Sequence, residues 1–202
     1  MTQPRRVILS QDLGEFFRNE VSEAKQQLRI EMSEVLEYYL VNLLCEFSRE
    51  RVGPKPGDEP LALQYKRALE ARLAERVQIL KDLGDEALYV SGFFAAFVER
   101  SLVDLNYYIS MGGSAYQNLS ELMGGQRHGE TFAELYEQLA RKFAELVDLL
   151  NEISEKARDK SVDPTELMRL YDRWLRTGSQ RARKVLLERG MLTHRPPTEF
   201  TD

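Results

Sequence analysis

The chain has one cysteine, Cys45, and two histidines, His128 and His194, in 202 residues. A lone cysteine excludes an intrachain disulfide framework and a cysteine-rich zinc site, and it fits a reducing compartment. The histidines stand apart, one in a glycine-rich turn and one near the end. No Glu-x-x-His pair of the kind that clamps metal ions inside helical bundles is present. Basic charge is short as well: 28 Lys and Arg stand against 33 Asp and Glu, a formal net charge of −5. No general excess of cations is therefore available to neutralise nucleic-acid phosphates.

Long apolar runs are missing too. The longest apolar-rich stretch, ALYVSGFFAAFV at 87–98, rises about 18 Å as a helix, against a hydrocarbon core of about 30 Å. The opening MTQPRRVILSQDLG has only three consecutive apolar residues after its arginines, too few for the core of a signal peptide. Nowhere does apolar and polar alternation persist between hairpin turns, so strands are not expected. From these absences we expect a cytoplasmic protein with no membrane span, metal or cofactor. Enzymatic turnover is the less favoured reading.

What is present is helical periodicity. With 43% hydrophobic and 30% charged residues the chain has the balance of a folded protein. The pattern predicts an all-α, single-domain bundle of about six or seven helices over 1–202, with flexible ends at 1–11 and 191–202 and a loop at 52–60. Asp12 and Glu15 form a capping-box pattern. Phe17, Val21, Ala24, Leu28, Met32, Val35, Tyr39, Leu43 and Phe47 then follow steps of three or four. That spacing predicts one long N-terminal helix of more than eight turns. Leu36, Tyr38, Leu40, Val41 and Leu44 widen its apolar face beyond what one neighbouring helix would cover.

VGPKPGDEP at 52–60 holds three prolines and ends that helix. A second helix is expected over 61–83, with Gly84 and Asp85 as its end and the next cap. Between Ala87 and Ser120 only Glu99, Arg100 and Asp104 are charged, which predicts a buried central helix, broken or kinked at Gly112-Gly113. A helix from Thr131 to about 157, one opening at Asp163-Pro164, and a last one after Thr177-Gly178-Ser179 complete the bundle.

LNYYISMGGSAY at 105–116 raises the one pocket hypothesis. If a helix reopens after the glycines, free amides near Ser114 could receive an anionic or carbonyl group. Tyr107, Tyr108 and Tyr116 would wall it, with Asp104 as a desolvated base. The plainer reading is that Gly112 and Gly113 let another helix cross closely while the tyrosines fill the core edge. The stretch lacks the glycine spacing of a dinucleotide fingerprint. Glu31, Glu34 and Glu37 read as a solvated face more readily than as a cation site.

Charge is asymmetric at the C-terminal end. Arg169, Arg173, Arg176, Arg181, Arg183, Lys184 and Arg189 stand against Asp172 and Glu188, a local +5 that leaves about −10 elsewhere. This favours a helical interaction or assembly protein. It would act as a homo-oligomer, a dimer above all, or with an acidic protein partner, through Val41 and Leu44 on the wide apolar face and Arg173, Arg176, Arg181, Arg183 and Lys184 on the basic one. The first alternative is a small-molecule binding protein or enzyme using 104–116. The second is a nucleic-acid-linked regulator using the basic helices, which the overall acidity disfavours.

Overall fold

The computed structural model describes residues 5–50, 59–98, 104–127, 129–159, 170, 171, 173, 174 and 179–188. These are helical apart from short connections, with no strand among them. In chain order they form α1 (Arg5–Leu28), α2 (Glu34–Glu50), α3 (Leu61–Glu70), α4 (Leu73–Phe93), α5 (Ala95–Val98), α6 (Leu105–Gly124), α7 (Glu130–Arg141), α8 (Phe143–Asp159) and α9 (Gln180–Glu188). Leu170, Tyr171, Arg173 and Trp174 are helical as well. One hydrophobic cluster joins Leu13 of α1 to Leu186 of α9, so the all-α bundle has a single core.

The long first helix is two helices. α1 ends in a reverse of direction at Arg29, whose φ of 56° is left-handed. The Ile30 amide donates to the Lys25 carbonyl (3.0 Å) and the Arg29 amide to that of Gln26 (3.3 Å). This pair closes a helix end that usually carries glycine. Arginine stands there instead, and the rhythm of Leu28, Met32 and Val35 runs unbroken across the corner, which is why the spacing reads as one helix. Ser33 restarts the chain by accepting from the Leu36 amide (3.2 Å), and Lys25 pairs with Glu37 across the bend.

α1 then lies back along α2 and also packs on α8, burying Leu13, Phe17, Val21 and Ala24. Removing Leu13, Phe17 and Val21 from water contributes about 1.5–3 kcal/mol each. α1 starts at Arg5, within the end expected to be flexible: no proline or glycine between Arg5 and Leu13 stops the helix. Residues 191–202 and most of the 52–60 loop lie outside the described residues.

α3 and α4 replace the expected helix over 61–83. The break falls at Ala71 and Arg72, where Arg76 reaches back to accept no bond but to donate three, to the carbonyls of Ala68 (3.0 Å), Leu69 (2.7 Å) and Ala71 (3.2 Å). α4 continues through Gly84 and Asp85 and is buried almost without interruption from Leu83 to Phe93, enclosed by α2, α3, α6 and α8. Gly84 is no terminator. A Cβ there would lie 2.6 Å from Cε1 of the Tyr116 ring, so the missing side chain lets α6 press against α4.

α6 runs as one helix through Gly112-Gly113, which corrects the expected break there. Gly112 is buried, and a Cβ on it would meet Phe143 Cζ at 2.3 Å and Ala87 Cβ at 2.8 Å. The glycine therefore serves the crossing of α6 with α4 and α8. The expected helix from Thr131 to 157 is α7 and α8, separated by a turn at Lys142.

Candidate functional site

The charged centre of the bundle is Asp85, 5% exposed. Its Oδ1 accepts from the hydroxyls of Tyr39 (2.5 Å) and Tyr116 (2.6 Å), and its Oδ2 from the Lys81 ammonium (2.6 Å). The Tyr136 ring stands edge-on to Tyr39 and stacks on Tyr116, with centroids 6.2 and 6.0 Å away. Lys81 lies 5.9 Å above the centre of the Tyr39 ring. Four helices thus meet at one carboxylate: α2 through Tyr39, α4 through Lys81 and Asp85, α6 through Tyr116 and α7 through Tyr136.

Helical spacing builds this centre. Lys81 and Asp85 are four residues apart on one face of α4, which brings the ammonium over the carboxylate. Burial pushes the Asp85 carboxyl up from its usual range, against the downward pull of Lys81 and the two hydroxyls. Burial acts downward on Lys81, but Asp85 and Glu46 outweigh it and leave the ammonium raised. Tyr39 and Tyr116 are both pushed well up, first by burial and then by the adjacent carboxylate. All three short bonds are satisfied within the protein. The geometry joins helices and leaves neither oxygen of Asp85 turned to solvent.

A pH dependence follows for Tyr116. Its folded value lies above the ordinary 10.0, so its contribution to stability is full below pH 10 and is lost as pH rises through the folded value. Stability should therefore fall above pH 10, by up to about 1.4 kcal/mol per pH unit for this hydroxyl. Urea unfolding from about pH 9 to pH 11 should show a shallower decline in Tyr116→Phe than in the native chain.

The residues expected to form a pocket do not converge. Asp104 is exposed and caps α6 by accepting from the Tyr107 amide (2.9 Å), so it is not a desolvated base. The Tyr107 hydroxyl accepts from the Ala62 amide (3.0 Å), and its ring meets that of Tyr108 edge-on at 5.7 Å. Gly113 is half-buried and Ser114 exposed, both inside a continuous helix whose amides are already engaged along its ladder, while Tyr116 belongs to the Asp85 centre. The anion cradle near Ser114 is thereby corrected: without a new helix start there are no free amides.

The expected interface divides in the same way. Val41 and Leu44 are buried inside the bundle, 5% and 0% exposed, because α1, α4 and α7 cover that side of α2. They are core residues, which corrects their assignment to a contact surface. Arg173, Arg181 and Lys184 are exposed and Arg183 half-exposed. Arg176 and both histidines lie outside the described residues. Cys45 is buried, and burial pushes its thiol up.

The surface that α2 leaves open is different from the expected one. Glu31, just before the helix, and Glu34, Val35, Tyr38, Asn42, Glu46 and Arg49 are all exposed and succeed one another at helical spacing. Val35 is 46% and Tyr38 65% exposed, three residues apart and therefore neighbours on one side. No helix among the described residues is long and apolar enough to cross a membrane, and no group of three potential metal-binding side chains gathers among them. No protein-family model, curated protein or solved structure matches the chain.

Proposed function

We propose that the chain is a helical association protein, with no reaction of its own, that docks a protein partner on the outward side of α2. The observation that carries this reading is the exposure of Val35 and Tyr38, adjacent on a helix whose other sides are held by α1, α4 and α7. Tyrosine is suited to such a place, since it offers a large apolar ring with a polar tip. The flanking Glu31, Glu34 and Glu46 give the pair an acidic rim. The Asp85 centre contributes by fixing α2, through Tyr39, one residue along from Tyr38.

A photoreactive residue placed at Asn42, within the same open face, should give cross-linked species of discrete mass in the cell that makes the protein. The Val35→Lys/Tyr38→Lys double variant should lose them at unchanged helicity and melting temperature, because exposed substitutions typically change stability by no more than about 0.5 kcal/mol. Cross-links that persist in the double variant, or none in the native chain, would reject the docking face.

A further inference from the structure

We propose that the occupant of the α2 face is the basic C-terminal helix α9 of a second copy of the chain, and that the contact is made reciprocally in a two-fold dimer. This rests on the reading of α2 as a docking face and names its partner. The first argument is charge. The open side of α2 carries Glu31, Glu34 and Glu46 around Val35 and Tyr38, with Arg49 at its far end. α9 turns Ala182 and Leu186 into its own core and leaves Arg181 and Lys184 exposed, with Arg183 half-exposed beside them. An acidic, apolar-centred strip and a basic helix face on the same chain are complementary surfaces.

The second argument is that the open side of α2 is not covered within the described chain. α2 packs on α1, α4 and α7, and the 65% exposure of Tyr38 means that no part of the described chain, its own α9 included, covers it. The lengths agree as well. α2 has 17 residues and α9 nine, roughly 25 and 13 Å of helix, so α9 fits within the span from Glu31 to Glu46. Ser179 fixes the start of α9 by accepting from the Ala182 amide (3.3 Å), which presents the basic face as a formed helix. Under two-fold symmetry each copy offers one strip and one helix, so both contacts close and no further copy is recruited.

Charge reversal tests this pairing directly. Glu31→Lys/Glu34→Lys and Arg181→Glu/Arg183→Glu should each weaken self-association by at least about tenfold in sedimentation, since each places like charges opposite one another in both contacts. An equimolar mixture of the two variants should restore it, because one contact is then reversed on both sides and the other is native. Native self-association should also weaken at high salt, where exposed charges are screened. Circular dichroism and melting of each variant alone separate loss of contact from loss of fold.

A native chain that stays monomeric, or a mixture that fails to recover, overturns the pairing. If discrete photocross-links at Asn42 are nevertheless found with masses other than twice the chain's, the docking face survives and only its partner is reassigned. Association that both variants retain in full would also overturn the pairing.

Discussion

Asp85→Ala is expected to lower the unfolding free energy by about 3 kcal/mol, the lower end of the range for breaking a buried ion pair. The lower end applies because Lys81, 31% exposed at its side chain, can turn to water once its partner is gone. Tyr116 cannot: its side chain is fully buried and its hydroxyl would lose the acceptor it has at 2.6 Å. Tyr116→Phe alone should cost less, about 1–1.5 kcal/mol, since it removes one hydrogen bond without stranding a charge.

The triple variant Tyr39→Phe/Asp85→Leu/Tyr116→Phe should recover most of what Asp85→Ala loses, because it removes donors and acceptor together and refills the volume. Equilibrium urea unfolding, with the midpoint shift read at constant slope, measures all three. A loss below about 1 kcal/mol for Asp85→Ala would show that the four helices are held by apolar packing alone.

The two central glycines should respond with opposite signs. Gly112→Val is expected to cost about 3 kcal/mol or more, since even its first added carbon would lie 2.3 Å from Phe143 and 2.8 Å from Ala87. Neither neighbour yields easily. Phe143 opens α8 and is buried against Tyr116, and Ala87 sits on the most enclosed stretch of α4. Gly113→Ala, by contrast, should stabilise by about 0.5–1 kcal/mol. Its Cβ would meet only the Ala140 carbonyl oxygen, at 3.9 Å, while alanine has the higher helix propensity. Thermal unfolding of the two variants side by side tests this, and a destabilised Gly113→Ala would contradict the open geometry at that position.

The same glycines show where sequence pattern reaches and where it stops. Spacing of three and four establishes the all-α bundle, the burial of 87–93 and the cap at Ser179, because helix period and chain-local caps are written in neighbouring residues. The corner at Arg29 is not legible: left-handed backbone in an arginine leaves no glycine signal, and the apolar rhythm runs through the turn. Gly84-Asp85 looks like a helix end because glycine and aspartate usually serve there. Here each instead meets a side chain from another helix, Tyr116 in both cases.

The Asp85 centre had one local trace, the spacing of Lys81 and Asp85. Its tyrosines come from positions 39, 116 and 136, which only tertiary packing unites. Val41 and Leu44 failed as contact residues for a related reason. A wide apolar face counts the sides that must be covered without saying that the chain's own helices cover them, and the open residues proved to be Val35 and Tyr38.

The enclosure of α4 has a consequence for exchange of amide protons with solvent. From Leu83 to Phe93 its residues are buried nearly all round, so their amides can reach deuterium only when the bundle opens as a whole, and their protection should report the global unfolding free energy. α9 is anchored by Ala182 and Leu186 among its described residues, with a basic face outside. Its amides should exchange through local opening, sooner than those of α4, and should slow when another molecule covers that face.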